Sequence, residues 1–127
     1  MGSFAWAQDD INDQGGNVEQ LSEKRCIPCQ TGTPPLQGEE IKAYLNELSK
    51  EWQVIDLHHI ERVFRFKNFR EALDFTNKVG QIAEEEGHHP DIYLSWGKVK
   101  VMTFTHKVGG LTENDFILAA KIDKIVL

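Results

Sequence analysis

The chain is poor in cysteine, in basic charge and in long apolar runs. Of its 127 residues only Cys26 and Cys29 carry thiols, and they share one Cys-Ile-Pro-Cys run. Two thiols cannot build the disulfide framework of a small secreted domain, and they are half of a four-cysteine zinc site. A Cys2His2 shell would have to recruit two histidines, but no His-x3–5-His spacing lies nearby and Pro28 interrupts the pair, so no metal is expected. Fourteen basic against 20 acidic side chains give a net charge of -6. That balance argues against a nucleic-acid binder, which needs a basic stripe to displace counterions from phosphates. No window approaches the roughly 18 apolar residues of a membrane span, and Met1–Ala7 lacks the basic and apolar regions of a secretory signal. The expectation is a cytoplasmic protein with no direct nucleic-acid or membrane partner.

At 40% hydrophobic residues the chain can still build a core. Residues 1–25 are rich in Gly, Gln, Asn and Asp without a period of 2 or 3.6, which predicts a mobile tail. Five acids and two bases in that stretch account for half of the net charge. Residues 26–38 hold Pro28, Pro34, Pro35, Gly32 and Gly38 and predict an irregular lead-in, ordered only where it packs on something. The domain proper is expected over 39–127.

Within it, Ile41, Tyr44, Leu45 and Leu48 follow the i, i+3, i+4, i+7 stripe of an amphipathic helix over Glu39–Ser49. Trp52–Leu57 and Ile60–Phe66 read as antiparallel strands joined around His58-His59, which are taken as turn or surface residues that do not act as a pair. In the second strand Ile60, Arg62, Phe64 and Phe66 share one face. Asn68 caps a long helix with apolar positions Phe69, Ala72, Leu73, Thr76, Val79 and Ala83, stopped by Gly87. Its last turn, Glu84-Glu85-Glu86, puts negative charge against the negative end of the helix dipole, a local conflict of the kind that collects at functional sites. Two further strands, Ile92–Trp96 and Val99–His106, flank a Gly97-Lys98 turn. Thr112 and Asp115 start a final helix with Leu118, Ile122 and Ile125 on one side. The order α-β-β-α-β-β-α predicts an α+β, two-layer fold: a four-stranded antiparallel sheet with three helices packed on one face. Aromatic residues on the other face, and a working unit of under 90 residues, point to a homo-oligomer, a homodimer or homotetramer.

Three of the five histidines, His88, His89 and His106, fall at the ends of predicted elements and can converge on one cleft. Histidine titrates near neutral pH, so two of them on opposite sides of a substrate can act as acid and base in one step. Pro90 drives His89 out of the α region and fixes how the pair leaves the helix. Taken alone, a His-His pair fits a polar loop equally well.

The run Gly87-His88-His89-Pro90-Asp91-Ile92, then Trp96, Val99, Thr105-His106, Gly109-Gly110-Leu111-Thr112, Asp115 and Leu118-Ala119, resembles the pterin-4a-carbinolamine dehydratase family. The likeness extends upstream through Trp52, Phe64-Arg65-Phe66, Phe69 and Ala72, covering roughly residues 39–124. The resemblance implies dehydration of 4a-hydroxytetrahydropterin to quinonoid dihydropterin, the recycling step after aromatic amino acid hydroxylation, with a pterin-dependent hydroxylase as pathway neighbour. It implies no metal or organic cofactor. It places the active-site histidines at His88, His89 and His106 and the nearby acids at Glu84 and Asp115. His88 and His106 are then expected to move protons, and His89 with Pro90 to hold the pterin. Glu84 either orients a histidine or touches the pterin, and Asp115 contacts the site, caps its helix, or does both. The family also includes a transcriptional dimerization cofactor, so a protein-binding module is the alternative function.

Overall fold

The computed structural model describes residues 20–28, 30 and 32–126. Helix α1 spans Gly38–Leu45, strands β1 and β2 span Gln53–Ile55 and His59–Arg65, and helix α2 spans Phe69–Glu86. Strands β3 and β4 run over Asp91–Ser95 and Lys98–Thr103, and helix α3 over Glu113–Ile125. The strands form one antiparallel sheet in the order β1-β2-β4-β3, covered on one face by the three helices, the α+β arrangement expected from the sequence. Ile60 and Phe64 of β2 and Val99, Val101 and Thr103 of β4 form the buried inner face.

Local signals explain most element ends. The Asn68 side chain accepts the Glu71 N–H at 2.9 Å, and Gly87 takes the left-handed conformation (φ 65°) that closes α2. The backbone N–H of His88 also reaches Ala83 O, so this closure sets the direction in which the histidine leaves the helix. The buried stripe of α2 is Ala72, Phe75, Val79 and Ala83, whereas Phe69 is exposed; the helix is turned so that Phe75 meets Phe64 and Phe66.

Four expectations are corrected. Helix α1 is shorter than Glu39–Ser49: after Leu45 the chain tightens into turns in which Glu47 and Leu48 N–H groups bond Tyr44 and Leu45 carbonyls, still burying Leu48. The β1–β2 hairpin pivots on Asp56-Leu57, both at positive φ, not on His58-His59. His59 instead opens β2 opposite Ile55, and His58 Nδ1 lies 3.1 Å from His59 Nδ1, so the two do touch. Strand β4 stops at Thr103, and His106 begins a short 3-10 turn, His106–Val108, beyond a bridge between Thr105 and Gly110.

The fourth correction concerns the N-terminal part. Residues 20–25 are packed: Leu21–Glu23 form a 3-10 turn on α3 with Leu21 buried, and Lys24 pairs with Glu113 at 2.6 Å. Residues 1–19 of the expected tail, and Cys29, lie outside the described residues. Because this segment covers it, α3 is buried all round from Asn114 to Ala120 and not along one side alone.

Candidate active site

The ends of α2, β4 and the loop leading into α3 converge on a cleft of about 570 Å³, a volume suited to a small organic ligand. His88, His89, Pro90 and His106 line it together, with Phe104, Thr105, Lys107 and Asp91. Four of the six site residues expected from the sequence are thus brought into one cavity. Glu84 and Asp115 are not in its lining; each reaches it through a histidine.

Asp115 lies beneath His88 with its side chain fully buried. Its Oδ1 accepts from His88 Nε2 at 2.6 Å and from Thr103 Oγ1 at 2.7 Å. Its Oδ2 accepts from Thr105 Oγ1 at 2.8 Å and from the Thr112 N–H at 3.0 Å. Since the Thr105 hydroxyl donates to the carboxylate, its oxygen accepts from Thr112 Oγ1 at 2.8 Å. Four donors on one buried carboxylate satisfy the desolvation requirement that an ionised acid imposes. Because an ionised carboxylate only accepts, His88 must carry a hydrogen on Nε2, which leaves Nδ1 as the ring nitrogen able to take up a proton. The capping-box reading of Asp115 and its link to a histidine therefore hold in one side chain, while direct contact with a ligand is closed to it.

His89 is more open, with a side chain 59% exposed, and its Nε2 is within hydrogen-bonding distance of the exposed Glu84 carboxylate. Such an exposed pair orients a ring without contributing much stability. His106 packs against Phe104 with ring centroids 4.2 Å apart and the rings tilted by 43°, and Phe104 packs in turn against His58 at 4.4 Å, tilted by 42°. The histidine set aside as a turn residue thus buttresses the aromatic wall under His106.

Several contributors escaped the sequence reading. Thr103 and Thr105 continue the inward positions of β4 after Val99 and Val101, and polar residues at inward positions were the available signal. Cys26, Ile27 and Pro28 close another side of the cleft, held by Glu86 and Asn114. Burial, reinforced by Glu86 and Asp115, pushes the Cys26 thiol up to about 12, so it is a protonated donor to Asn114 O and not a nucleophile. The glutamate run at the end of α2 was the clue to this side. Glu86 accepts the Cys26 N–H at 2.8 Å and pairs with Lys121 and Arg25.

The sequence profile of the pterin 4 alpha carbinolamine dehydratase family matches residues 34–125. Over 107 residues, 84% of this chain and 96% of the relative, the sequence is 62% identical to an Alkaliphilus metalliredigens protein named for pterin-4-alpha-carbinolamine dehydratase. A Rubrobacter xylanophilus protein of the same name is 54% identical, with 85% of this chain and all of the relative covered. The crystal structure of a transcriptional coactivator/pterin dehydratase from Brucella melitensis superposes with a TM-score of 0.67 at 34% identity, covering 72% of this chain and 97% of that one. With a profile match across most of its length and relatives this similar, the chain belongs to the pterin-4-alpha-carbinolamine dehydratase family.

Proposed function

We propose that this hydro-lyase removes water from 4a-hydroxytetrahydropterin to give quinonoid dihydropterin, with the protons carried by His88 and His106. The observation that carries the reading is the convergence of three histidines on one cleft, one of them locked by a buried carboxylate in the tautomer that can accept a proton. In the reaction the C4a hydroxyl departs as water after gaining a proton, and the electron pair of the N5–H bond forms the N5=C4a double bond as that proton leaves. His88 Nδ1 takes the N5 proton, and His106 supplies the proton to the leaving oxygen. His89, steadied by Glu84, and Pro90 hold the pterin. A positioned acid or base contributes ~10²–10⁴-fold each, which is sufficient for a substrate that already loses water slowly. The outward face of the sheet, where Val63 and Tyr93 are exposed, and the exposed Trp96 of the β3–β4 turn support assembly into a homo-oligomer. The setting that goes with this reading is a cytoplasmic one, beside a pterin-dependent hydroxylase.

A stopped-flow assay with freshly generated 4a-hydroxytetrahydropterin tests the proposal. His106→Ala is expected to keep the fold and lower turnover by roughly ten-fold or more; a wild-type rate would remove His106 from the mechanism. His89→Ala is expected to weaken binding of a reduced pterin analogue. If affinity held and only turnover fell, His89 would belong to the proton chemistry instead.

A further inference from the structure

The segment Cys26–Ile27–Pro28 lies upstream of the residues matched by the family profile, yet it forms part of the cleft wall. It contains no regular secondary structure, and its position is set by contacts to the rest of the fold. The Cys26 N–H donates to Glu86 Oε1 at 2.8 Å, and Cys26 Sγ donates to Asn114 O at 3.5 Å. The Asn114 amide then clamps the next residue from both sides: its Oδ1 accepts the Ile27 N–H at 3.1 Å, and its Nδ2 donates to Ile27 O at 2.6 Å. Glu86 is itself anchored by Lys121 Nζ at 3.3 Å and by Arg25. Further along, the Leu36 N–H donates to Leu111 O at 2.8 Å, and Pro35 lies so close to Gly110 that a Cβ there would meet it at 2.8 Å. The lead-in is therefore fastened to the end of α2, to the start of α3 and to the loop that joins His106 to α3.

The side chain at the centre of this clamp is left uncovered. Ile27 is 70% exposed although its backbone N–H and C=O are both bonded to a buried asparagine. At Leu111 and Ile41, by contrast, a hydrogen-bonded backbone carries its apolar side chain into the core. At Ile27 the ordered backbone instead presents an aliphatic group at a cleft whose lining also includes imidazoles, a phenyl ring, Pro90 and the charged Asp91 and Lys107. An aliphatic side chain there gains by desolvating the flat face or the carbon substituent of a bicyclic ligand, and an ordered backbone lowers the entropic cost of that contact.

We propose that Ile27, held by Asn114 and Glu86, is a ligand-contacting and specificity-determining residue of the pterin site. This rests on the dehydratase reading. The contact is made equally in the bound substrate and in the transition state, so its loss acts on KM and leaves kcat in place. Ile27→Ser in the full chain is expected to raise KM for the carbinolamine, and Kd for a reduced pterin analogue, by roughly five-fold. Because the side chain is exposed, the melting temperature should stay at the wild-type value, and Ile27→Met should restore both constants. Unchanged KM and Kd in Ile27→Ser, or a loss confined to kcat, would overturn the proposal. If the wild-type protein accelerates dehydration and His106→Ala abolishes it while Ile27→Ser matches wild type, only this inference falls. If the wild-type protein neither accelerates dehydration nor binds the analogue, the dehydratase reading and this inference fall together.

Discussion

Two of the three carboxylates of helix α3 lie eight residues apart, Asp115 near its start and Asp123 near its end, and each is a hub for donors from distant parts of the chain. Asp123 accepts Trp52 Nε1 at 2.8 Å and Arg62 at 2.6 Å on Oδ1, and the Ser49 N–H at 3.0 Å on Oδ2. Its partners are an indole, a backbone amide and a fixed cation whose guanidinium also lies over the Phe64 ring. Asp115 gathers two hydroxyls, a backbone amide and an imidazole that faces a cleft. The hydrogen-bonding device is the same, and its use differs through one donor. Guanidinium stays protonated in a protein, so the Asp123 hub can only hold structure, whereas an imidazole can exchange protons near neutral pH, and the proposed role of His88 rests on that difference.

The largest effect should come from breaking the Asp115 hub. Asp115→Ala strands three donors and the His88 ring, and we expect a stability loss of about 3–5 kcal/mol in chemical denaturation. Asp115→Asn, nearly isosteric, should lower turnover by roughly 10–100-fold, because an amide can set the wrong His88 tautomer; turnover within two-fold of wild type would show that the carboxylate is only a cap.

Asp123→Ala tests the other side of the comparison. Stranding the Arg62 guanidinium should cost about 3 kcal/mol, while turnover per folded molecule stays near wild type. A ten-fold loss of turnover in a folded Asp123→Ala protein would erase the distinction between the two ends of α3.

Glu86→Gln probes a third carboxylate with several donors, the one that fastens the lead-in. Burial pushes the Glu86 carboxyl up, but the Cys26 N–H, Lys121 and Arg25 together outweigh it and hold the group below its ordinary value. A depressed folded value means that the stabilisation is fully present above the ordinary carboxylate range and disappears as pH falls through the folded value. Glu86→Gln should therefore lower stability by about 1 kcal/mol at neutral pH, with the wild-type and variant melting curves converging on acidification. A gap that persists in strong acid would mean that packing, not charge, is lost.

The smallest expected change lies in the β1–β2 turn. Leu57 holds φ 55° in the β1–β2 turn, a conformation that glycine adopts without a Cβ clash. Leu57→Gly should leave turnover unaltered and shift stability upward by roughly 0.5–1 kcal/mol, read from the denaturation midpoint.

The legible parts of the fold were those with a local cause. Asn68 and Gly87 bracket α2 because a side-chain acceptor and a left-handed residue act within one turn of the helix. The Asp56-Leu57 pivot was missed because only Asp56 suits positive φ, while a leucine beside it gives no turn signal. In the site, the histidines stood out by residue type, and Glu84–Glu86 stood out by opposing the helix dipole. That conflict is resolved by groups far away in sequence: Arg25 and Lys121 reach Glu86, while His89 meets Glu84. Thr103 and Ile27, and the tie from Thr105 to Asp115, stayed unread, since an inward threonine or an isoleucine in a loop has meaning only once its neighbours are known.

By itself the sequence determined the order of elements, the α+β class and the histidines available for proton chemistry, because periodicity, caps and residue type act within a few positions. Tertiary structure alone decided that Asp115 is buried beneath His88, that Phe104 backs His106, and that the lead-in belongs to the cleft. Those outcomes depend on contacts such as Ile27 with Asn114, 87 residues apart, and on which donors surround a carboxylate once water is gone. The acidic deficit of bases that first argued against nucleic acid is, in the folded chain, partly a set of carboxylates each assigned to a particular partner.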